Sequence, residues 1–383
     1  MKKWERPTRA EILLDNLEFN INQIRNKFPD KKILVPVKAN AYGHGIIGVS
    51  KFLQDILNID FLGVAIISEG IKLRENGITK PILVFGALLE EDIPYIFEYN
   101  LTPTITSYEI AKKLNSYNKK IKVHINIDTG MGRIGIKHEE AISIIAKISK
   151  LENIIIEGIY THFPISDVKD KTFTLKQIEI FRNIINNTNL SPKYIHCENS
   201  GAIIDLNLDF FNLIRPGIMT YGLYPSDEVD KNFELKQVMR LVTKIIHKKT
   251  VKKGDSVSYG RTFLATKDTI IGTIPIGYGD GYNRKLSNRG YAIIGNKKYK
   301  IAGRVTMDQI MLNLENDDFI NIGDDVILYG ESNNQTILIA DIAKMLDTIT
   351  YEVTCWISER VPRIFLYKGE KWVKNNISTH LFC

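Results

Sequence analysis

Val35-Pro36-Val37-Lys38-Ala39-Asn40-Ala41-Tyr42-Gly43-His44-Gly45 closes an apolar strand on a lysine and follows it with a loop holding two glycines. A charge at the end of such a strand has two readings. It is a surface lysine whose stem covers the rim of a sheet, or it is a partly buried amine. Partial burial disfavours the ammonium and frees the amine to form a Schiff base with an aldehyde. Outward from this stretch, short apolar runs alternate with longer amphipathic ones. The runs Ile33–Val37, Phe61–Ala65, Ile82–Phe85, Thr102–Ile105, Val123–Ile127, Ile155–Tyr160, Tyr194–His196 and Asn212–Ile214 read as eight strands. Helical stretches such as Ser68–Asn76, Ser107–Ser116, Glu139–Ser149 and Leu175–Asn186 lie between them. Strand and helix in regular alternation predict a parallel sheet, closed as a TIM-like (β/α)8 barrel, with an open doubly wound sheet as the alternative. In a barrel, Lys38 stands at the end where reactive groups collect.

From about Met239 the texture changes to short strand-like runs separated by Gly- and Lys-rich turns. Leu241–His247, Thr269–Ile274, Tyr291–Ile294, Gln309–Leu314 and Asp325–Leu328 predict a mostly antiparallel β domain. The expected division is a barrel over 1–238 and a β-rich part over 239–383, with the segment up to about Ala10 open to joining the β part. No Pro, Gly or Ser linker separates the two parts, so firm packing is expected.

Composition narrows the classes further. Charged residues make up 25% and apolar ones 44% of 383 residues, ordinary for a globular chain. The net charge of +7 is spread among acidic residues, which argues against a nucleic-acid face. No apolar run approaches membrane-spanning length and none follows the basic start, so a cytoplasmic location is expected. Cys197, Cys355 and Cys383 are too scattered for a disulfide framework. No metal is expected, because His196-Cys197 lacks a second ligand pair at metal spacing and reads as core. No Rossmann or P-loop glycine fingerprint is present.

Further motifs accompany the lysine loop: Arg6-Pro7-Thr8, Leu14-Asp15-Asn16-Leu17, Asp128-Thr129-Gly130-Met131-Gly132-Arg133-Ile134-Gly135, Thr161-His162-Phe163, Asn199-Ser200 and Arg215-Pro216-Gly217-Ile218. In the second part stand Ser258-Tyr259-Gly260-Arg261, Gly277-Tyr278-Gly279-Asp280-Gly281, Arg304-Val305-Thr306-Met307-Asp308 and Arg360-Val361-Pro362-Arg363. In order and spacing, along nearly the whole chain, this set resembles the alanine racemases, which are barrel-type racemases dependent on pyridoxal 5'-phosphate (PLP).

The resemblance implies interconversion of L- and D-alanine through a PLP aldimine, supplying D-alanine for peptidoglycan. It assigns Lys38 and Tyr259 of the partner subunit as the two bases, one on each face of the substrate. Both side chains ordinarily titrate near pH 10 and need burial or cationic neighbours to work near neutrality. Arg215 is the residue facing the pyridine nitrogen, and since arginine does not give up its proton, that nitrogen should stay unprotonated. Tyr42, Ser200, Gly217, Ile218 and Tyr351 match the phosphate contacts, and His162 the histidine beside the ring. Arg133, Met307 and Tyr278 match the substrate-binding positions, the last two across the subunit boundary, which implies a homodimer with shared sites. Asp167, Arg284, Arg304 and Ile349 match an access corridor. Where many relatives carry a carbamylated lysine, this chain has Asn126, so a chloride or similar anion beside Arg133 is expected in its place.

Within the same chemistry the alternative is a serine or broader-specificity racemase, since one methylene is worth only about 1–3 kcal/mol in a pocket. A barrel-type PLP decarboxylase is a different class, but Arg215 stands where it would need an acidic partner for the ring nitrogen. A non-enzymatic PLP-binding barrel would lack the β part and Tyr259.

Overall fold

The computed structural model describes residues 6–332 and 334–372; Cys383 and the end of the expected β part lie outside them. The eight strands at the barrel are Lys32–Pro36, Phe61–Val64, Ile82–Val84, Thr102–Ile105, Ile121–Asp128, Ile154–Tyr160, Tyr194–His196 and Leu213–Ile214. They pair in parallel in chain order, with Leu213–Ile214 returning beside Lys32–Pro36. The remaining gap is bridged by Asn212, whose backbone N–H donates to Ile195 O at 3.2 Å while its Oδ1 accepts from Ile195 N–H at 2.9 Å. The sheet is thus a nearly closed eight-stranded barrel and not the open alternative. Helices on its outside turn apolar stripes inward, as in Tyr108–Asn115, where Ile110, Ala111 and Leu114 are buried and Ser107 caps the Ile110 N–H.

The second sheet is mostly antiparallel, running from His247–Val251 through Thr269–Ile274, Ile310–Glu315, Lys297–Ile301, Tyr291–Ile294, Asp325–Ser332 and Met239–Lys244. The run read as one strand over Leu241–His247 is two, Met239–Lys244 and His247–Val251. Ile245 N–H instead donates to Asp324 O, so the chain leaves one strand pairing and enters another. The N-terminal strand Arg9–Leu13 pairs antiparallel with Met239–Lys244 and parallel with Arg363–Tyr367, which places the start of the chain inside this second sheet. Arg6 extends the tie, with its guanidinium 2.7 Å from the buried Asp280 carboxylate.

Barrel and β part meet at the lysine loop. A Cβ on Gly43 would fall 2.0 Å from Thr354 O, so only glycine lets the loop lie against the helix Thr350–Cys355. Arg363 Nε–H donates to Gly43 O at 3.0 Å from the other side. Among the described residues no helix is long and apolar enough to cross a membrane.

Candidate active site

Lys38 follows directly on the strand Lys32–Pro36 and Val37, at the mouth of the barrel, and is half-buried. Burial, then the charge of Arg133, hold its amine below the ordinary lysine value, with Glu69 acting in the opposite sense. The loop beyond it has an unusual backbone. Ala39, Asn40, Ala41 and Tyr42 have φ of 51°, 55°, 54° and 52°, a left-handed turn of four consecutive non-glycine residues. Each such residue costs about 1–2 kcal/mol, so the turn persists only because its surroundings hold it. Glu69 Oε1 accepts from Ala39 N–H at 2.6 Å, Asn40 Oδ1 accepts from Ile46 N–H at 2.8 Å, and Gly43 N–H donates to Ala39 O at 2.9 Å.

The turn delivers Tyr42 to a second group of candidates. Its ring lies 5.0 Å from that of Tyr221 and 6.0 Å from that of Tyr351. A Cβ on Gly217 would stand 3.2 Å from Tyr42 Oη and 3.5 Å from Ser200 Oγ, so bare backbone there faces two hydroxyls. Ser200 Oγ also accepts from Met219 N–H at 3.3 Å, one residue beyond Ile218. Tyr42, Ser200, Gly217, Ile218 and Tyr351 are therefore brought together in a cradle that offers hydroxyls and backbone N–H groups, suited to a phosphate.

Arg215, 4% exposed, is clamped in the barrel mouth. Its Nη2 donates to Thr161 O at 2.7 Å and Cys197 O at 3.1 Å, its Nη1 donates to His196 Nδ1 at 2.6 Å, and its guanidinium lies 5.2 Å over the Tyr160 ring. His162 Nδ1 lies 3.5 Å from Nη2. Burial first, and then the charge of Arg215, depress the His162 imidazole to about 3, which keeps it neutral beside the guanidinium.

Arg133 is exposed on the loop after Ile121–Asp128, close enough for its charge to act on Lys38, His162 and Arg215. It makes no ion pair among the described residues. Asn126 is buried, and a Cβ on Gly135 would come within 3.2 Å of its Oδ1, so the glycine of that loop fits closely over the amide.

The remaining candidates form a separate group. Tyr259, Met307 and Tyr278 are 71%, 53% and 43% exposed on the β part. Tyr278 N–H donates to Thr306 O and Gly279 N–H to Met307 O, so Tyr278 and Met307 are neighbours. Tyr259 is held in a strained loop, where Ser258 and Arg261 have φ of 67° and 50° and Ser258 Oγ donates to Arg304 O at 2.6 Å. A Cβ on Gly260 would meet the Arg304 guanidinium at 3.1 Å, which puts Arg304 beside Tyr259. Of the corridor positions, Asp167 and Ile349 line one cleft of about 1320 Å³ together with Asn16, whereas Arg284 and Arg304 stay on the β part.

Several residues at the site escaped the sequence reading. Tyr160 stacks on His196 with 13° between their planes and lies under Arg215. Glu69 anchors the lysine loop, and Cys355 is near enough to Lys38 for each to act on the other's ionisation, with burial raising the thiol. Lys122 and His124 alternate with Asn126, already singled out, as polar residues at every second position of a strand, a signal that one face of it lines a polar interior.

Comparison with known proteins bears on the family of the chain. The family model described as alanine racemase, N-terminal domain, matches residues 12–225, and that described as alanine racemase, C-terminal domain, matches residues 238–365. The alanine racemase of Halothermothrix orenii is 43% identical over 375 residues, covering 96% of this chain and 99% of that one. Among solved structures, the alanine racemase of Clostridium difficile 630 superposes with a TM-score of 0.92 at 41% identity, over 97% of this chain and 99% of that one. That of Bacillus anthracis with bound L-Ala-P gives 0.89 at 35% identity, over 96% and 97%. With both family domains matched in order and near-complete coverage by relatives of this identity, the chain belongs to the alanine racemase family.

Proposed function

We propose that this chain interconverts L-alanine and D-alanine with pyridoxal 5'-phosphate held on Lys38, as a homodimer whose two sites are each completed by the partner subunit. The observation that carries the reading is the pairing, at one barrel mouth, of a half-buried amine lowered in pKa with a buried, fully clamped guanidinium. The residues present fit the cofactor. The Gly217 cradle, with Tyr42 and Ser200 hydroxyls around bare backbone, would hold its phosphate, Ile218 and Tyr351 would complete that wall, and Lys38 would hold its aldehyde carbon. When bound, the cofactor supplies an electron sink for the carbanion left as the substrate loses its α-proton.

The protein's own groups move that proton. Lys38 Nζ, freed once the substrate's own amine takes its place, takes or returns it on one face of the substrate Cα, and the phenol of the partner subunit's Tyr259 does so on the other. The exposure of Tyr259, Tyr278 and Met307 supports a role across a subunit boundary, since aromatic and methionine side chains are enriched in such interfaces. Arg215 presents a permanent N–H donor to the ring nitrogen and cannot protonate it. His162, kept neutral, neighbours Arg215 without adding a charge. Arg133 orients the substrate carboxylate, with Met307 and Tyr278 limiting the side chain to methyl size. A chloride beside Arg133 and Asn126 offsets the unpaired guanidinium, so turnover should fall when chloride is replaced by a bulky anion; equal rates in both buffers count against it. The product D-alanine serves peptidoglycan assembly in the cytoplasm.

The test is direct. The unaltered protein incubated with PLP should be yellow, should trap the cofactor on Lys38 after borohydride reduction, and should racemise alanine faster than serine or lysine. Lys38→Ala should lose trapping and reduce turnover by about a thousandfold or more. A colourless protein with Lys38 unmodified refutes the reading, and dilution to active single protomers refutes the shared site.

A further inference from the structure

A line of buried polar side chains leaves the back of Arg215 and runs the length of the barrel. Arg215 Nη1 lies 2.6 Å from His196 Nδ1, and His196 Nε2 lies 2.8 Å from His124 Nδ1. His124 Nε2 has no hydrogen-bond partner among the described residues, and the carboxylate facing it is Glu157 Oε2 at 3.9 Å. Glu157 Oε1 is in turn 2.9 Å from Lys122 Nζ, the cation at the start of the strand Ile121–Asp128. Both histidines are fully buried and Glu157 is nearly so. The fold makes room for this row. A Cβ on Gly158 would fall 2.6 Å from His124 Cε1 and Nδ1, so the imidazole lies flat over bare backbone, and the strand register slips at Val123/His124 where it does. Tyr160 stacks on His196, and Tyr194 and Phe61 lie against His124; among the described residues, the charged side chains that act on the two rings are Arg215 and Glu157.

The proton positions along this row are forced. Arginine can only donate, so His196 Nδ1 must be a bare acceptor. A neutral His196 then carries its proton on Nε2 and donates it to His124, whose Nδ1 must be bare as well. His124 therefore holds its own proton on Nε2, directed at Glu157. Neither ring can become an imidazolium without setting two N–H groups against each other, in keeping with the depressed basicity that burial imposes on both. Two neutral dipoles are thus aligned head to tail between a buried cation that has no carboxylate within hydrogen-bond reach among the described residues and a remote anion.

We propose that His124 and Glu157 are positioning residues for Arg215: with the order of protons set at the arginine end, they brace His196 from the opposite end of the barrel and so hold the guanidinium plane at the mouth. The benefit of that plane to catalysis rests on the function proposed above; the row itself does not.

The experiment has two arms. In cofactor-free protein carrying ¹⁵N-labelled histidine, the ring nitrogens of His124 and His196 should each show one bare Nδ1 and one protonated Nε2, unchanged from about pH 5.5 to about pH 9, a span that includes the ordinary histidine value. A proton on Nδ1 of either ring, or an imidazolium, overturns the proposal, whether or not the protein binds PLP. The second arm separates relay from packing. In His124→Gln the amide oxygen can accept from His196 and the amide N–H can face Glu157, whereas His124→Leu only fills space. His124→Leu should disturb the His196 signals and lower kcat by about tenfold with KM within about twofold, and His124→Gln should restore both, as expected where a buried donor is left without its acceptor and then given one back. A packing role gives the reverse order, because an apolar side chain suits a buried site better than an amide. Leucine performing as well as glutamine in the His196 spectrum therefore refutes the relay, and Glu157→Gln leaving that spectrum unchanged refutes the part assigned to the carboxylate.

Discussion

Lys38 is worth little as a base without the residues that set its surroundings, and the same holds for each group at the mouth. Burial and the Arg133 charge lower its amine, and Glu69 both opposes that shift and holds the backbone one residue on. Gly217 offers the sharpest single-residue test. A methyl group there would stand 3.2 Å from Tyr42 Oη and 3.5 Å from Ser200 Oγ, contacts with side-chain hydroxyls and not with another element's backbone, so Gly217→Ala should fold. It should weaken PLP binding by about tenfold or more, because the methyl takes the space a phosphate oxygen needs. Cofactor titration followed by absorbance, with the thermal midpoint within about 2–4 °C, is the check. These residues were legible in the sequence because each lies in a motif whose chemistry is local. Tyr160 and Glu69 were not, since their roles come from residues distant in the chain.

At the scale of elements, the left-handed turn over Ala39–Tyr42 is the unexpected feature. An apolar strand followed by Lys-Ala-Asn-Ala-Tyr reads as an ordinary loop, and alanine gives no sign that it will adopt a positive φ. The conformation is held from outside by Glu69, by Asn40 Oδ1 on Ile46 N–H, and by Arg363 and the Thr350–Cys355 helix on Gly43. Asn40→Ala removes both the acceptor and the residue type that best tolerates that backbone. It should cost about 1–2 kcal/mol of stability and slow turnover with little change in KM, measured by urea unfolding and steady-state kinetics. The eight barrel strands, by contrast, were found in the sequence to within a residue or two, because a strand buried on both faces is a plain apolar run. The single strand expected at Leu241–His247 became two, since a change of pairing partner leaves no mark on local hydrophobicity.

The molecule as a whole buries several histidines in the neutral form. His44 is depressed to about 4 and His162 to about 3, chiefly by burial, and His124 and His196 are lowered for the same reason. An unfolded chain would protonate all four below the ordinary histidine value while the native one does not, so their contribution is present above that value and is lost as pH falls. Glu198 acts in the opposite sense. Burial raises its carboxyl to about 7 despite Lys31 at 3.1 Å, so between the ordinary carboxylate value and 7 the native state holds a proton the unfolded chain lacks. Near pH 5.5 the imidazoles of His44 and His162 less the one carboxyl give a net uptake of about one proton on unfolding, and the lowered basicity of His124 and His196 adds to it. The slope of unfolding free energy against pH measures it. A flat slope there would mean that the buried rings are protonated in the native state.

Local chemistry and short-range pattern were enough to determine the strand and helix order, the barrel, the lysine at its mouth and the family. The elements and the barrel depend on side-chain polarity and spacing, and the family on the resemblance of its motifs, all of which a linear chain carries in full. Only the tertiary structure decided the rest: the left-handed turn beside Lys38, the insertion of Arg9–Leu13 into the second sheet, and the row from Arg215 to Glu157. Each of these arises where strands far apart in sequence come within a few ångströms, so the energy that favours it exists only once the chain has closed.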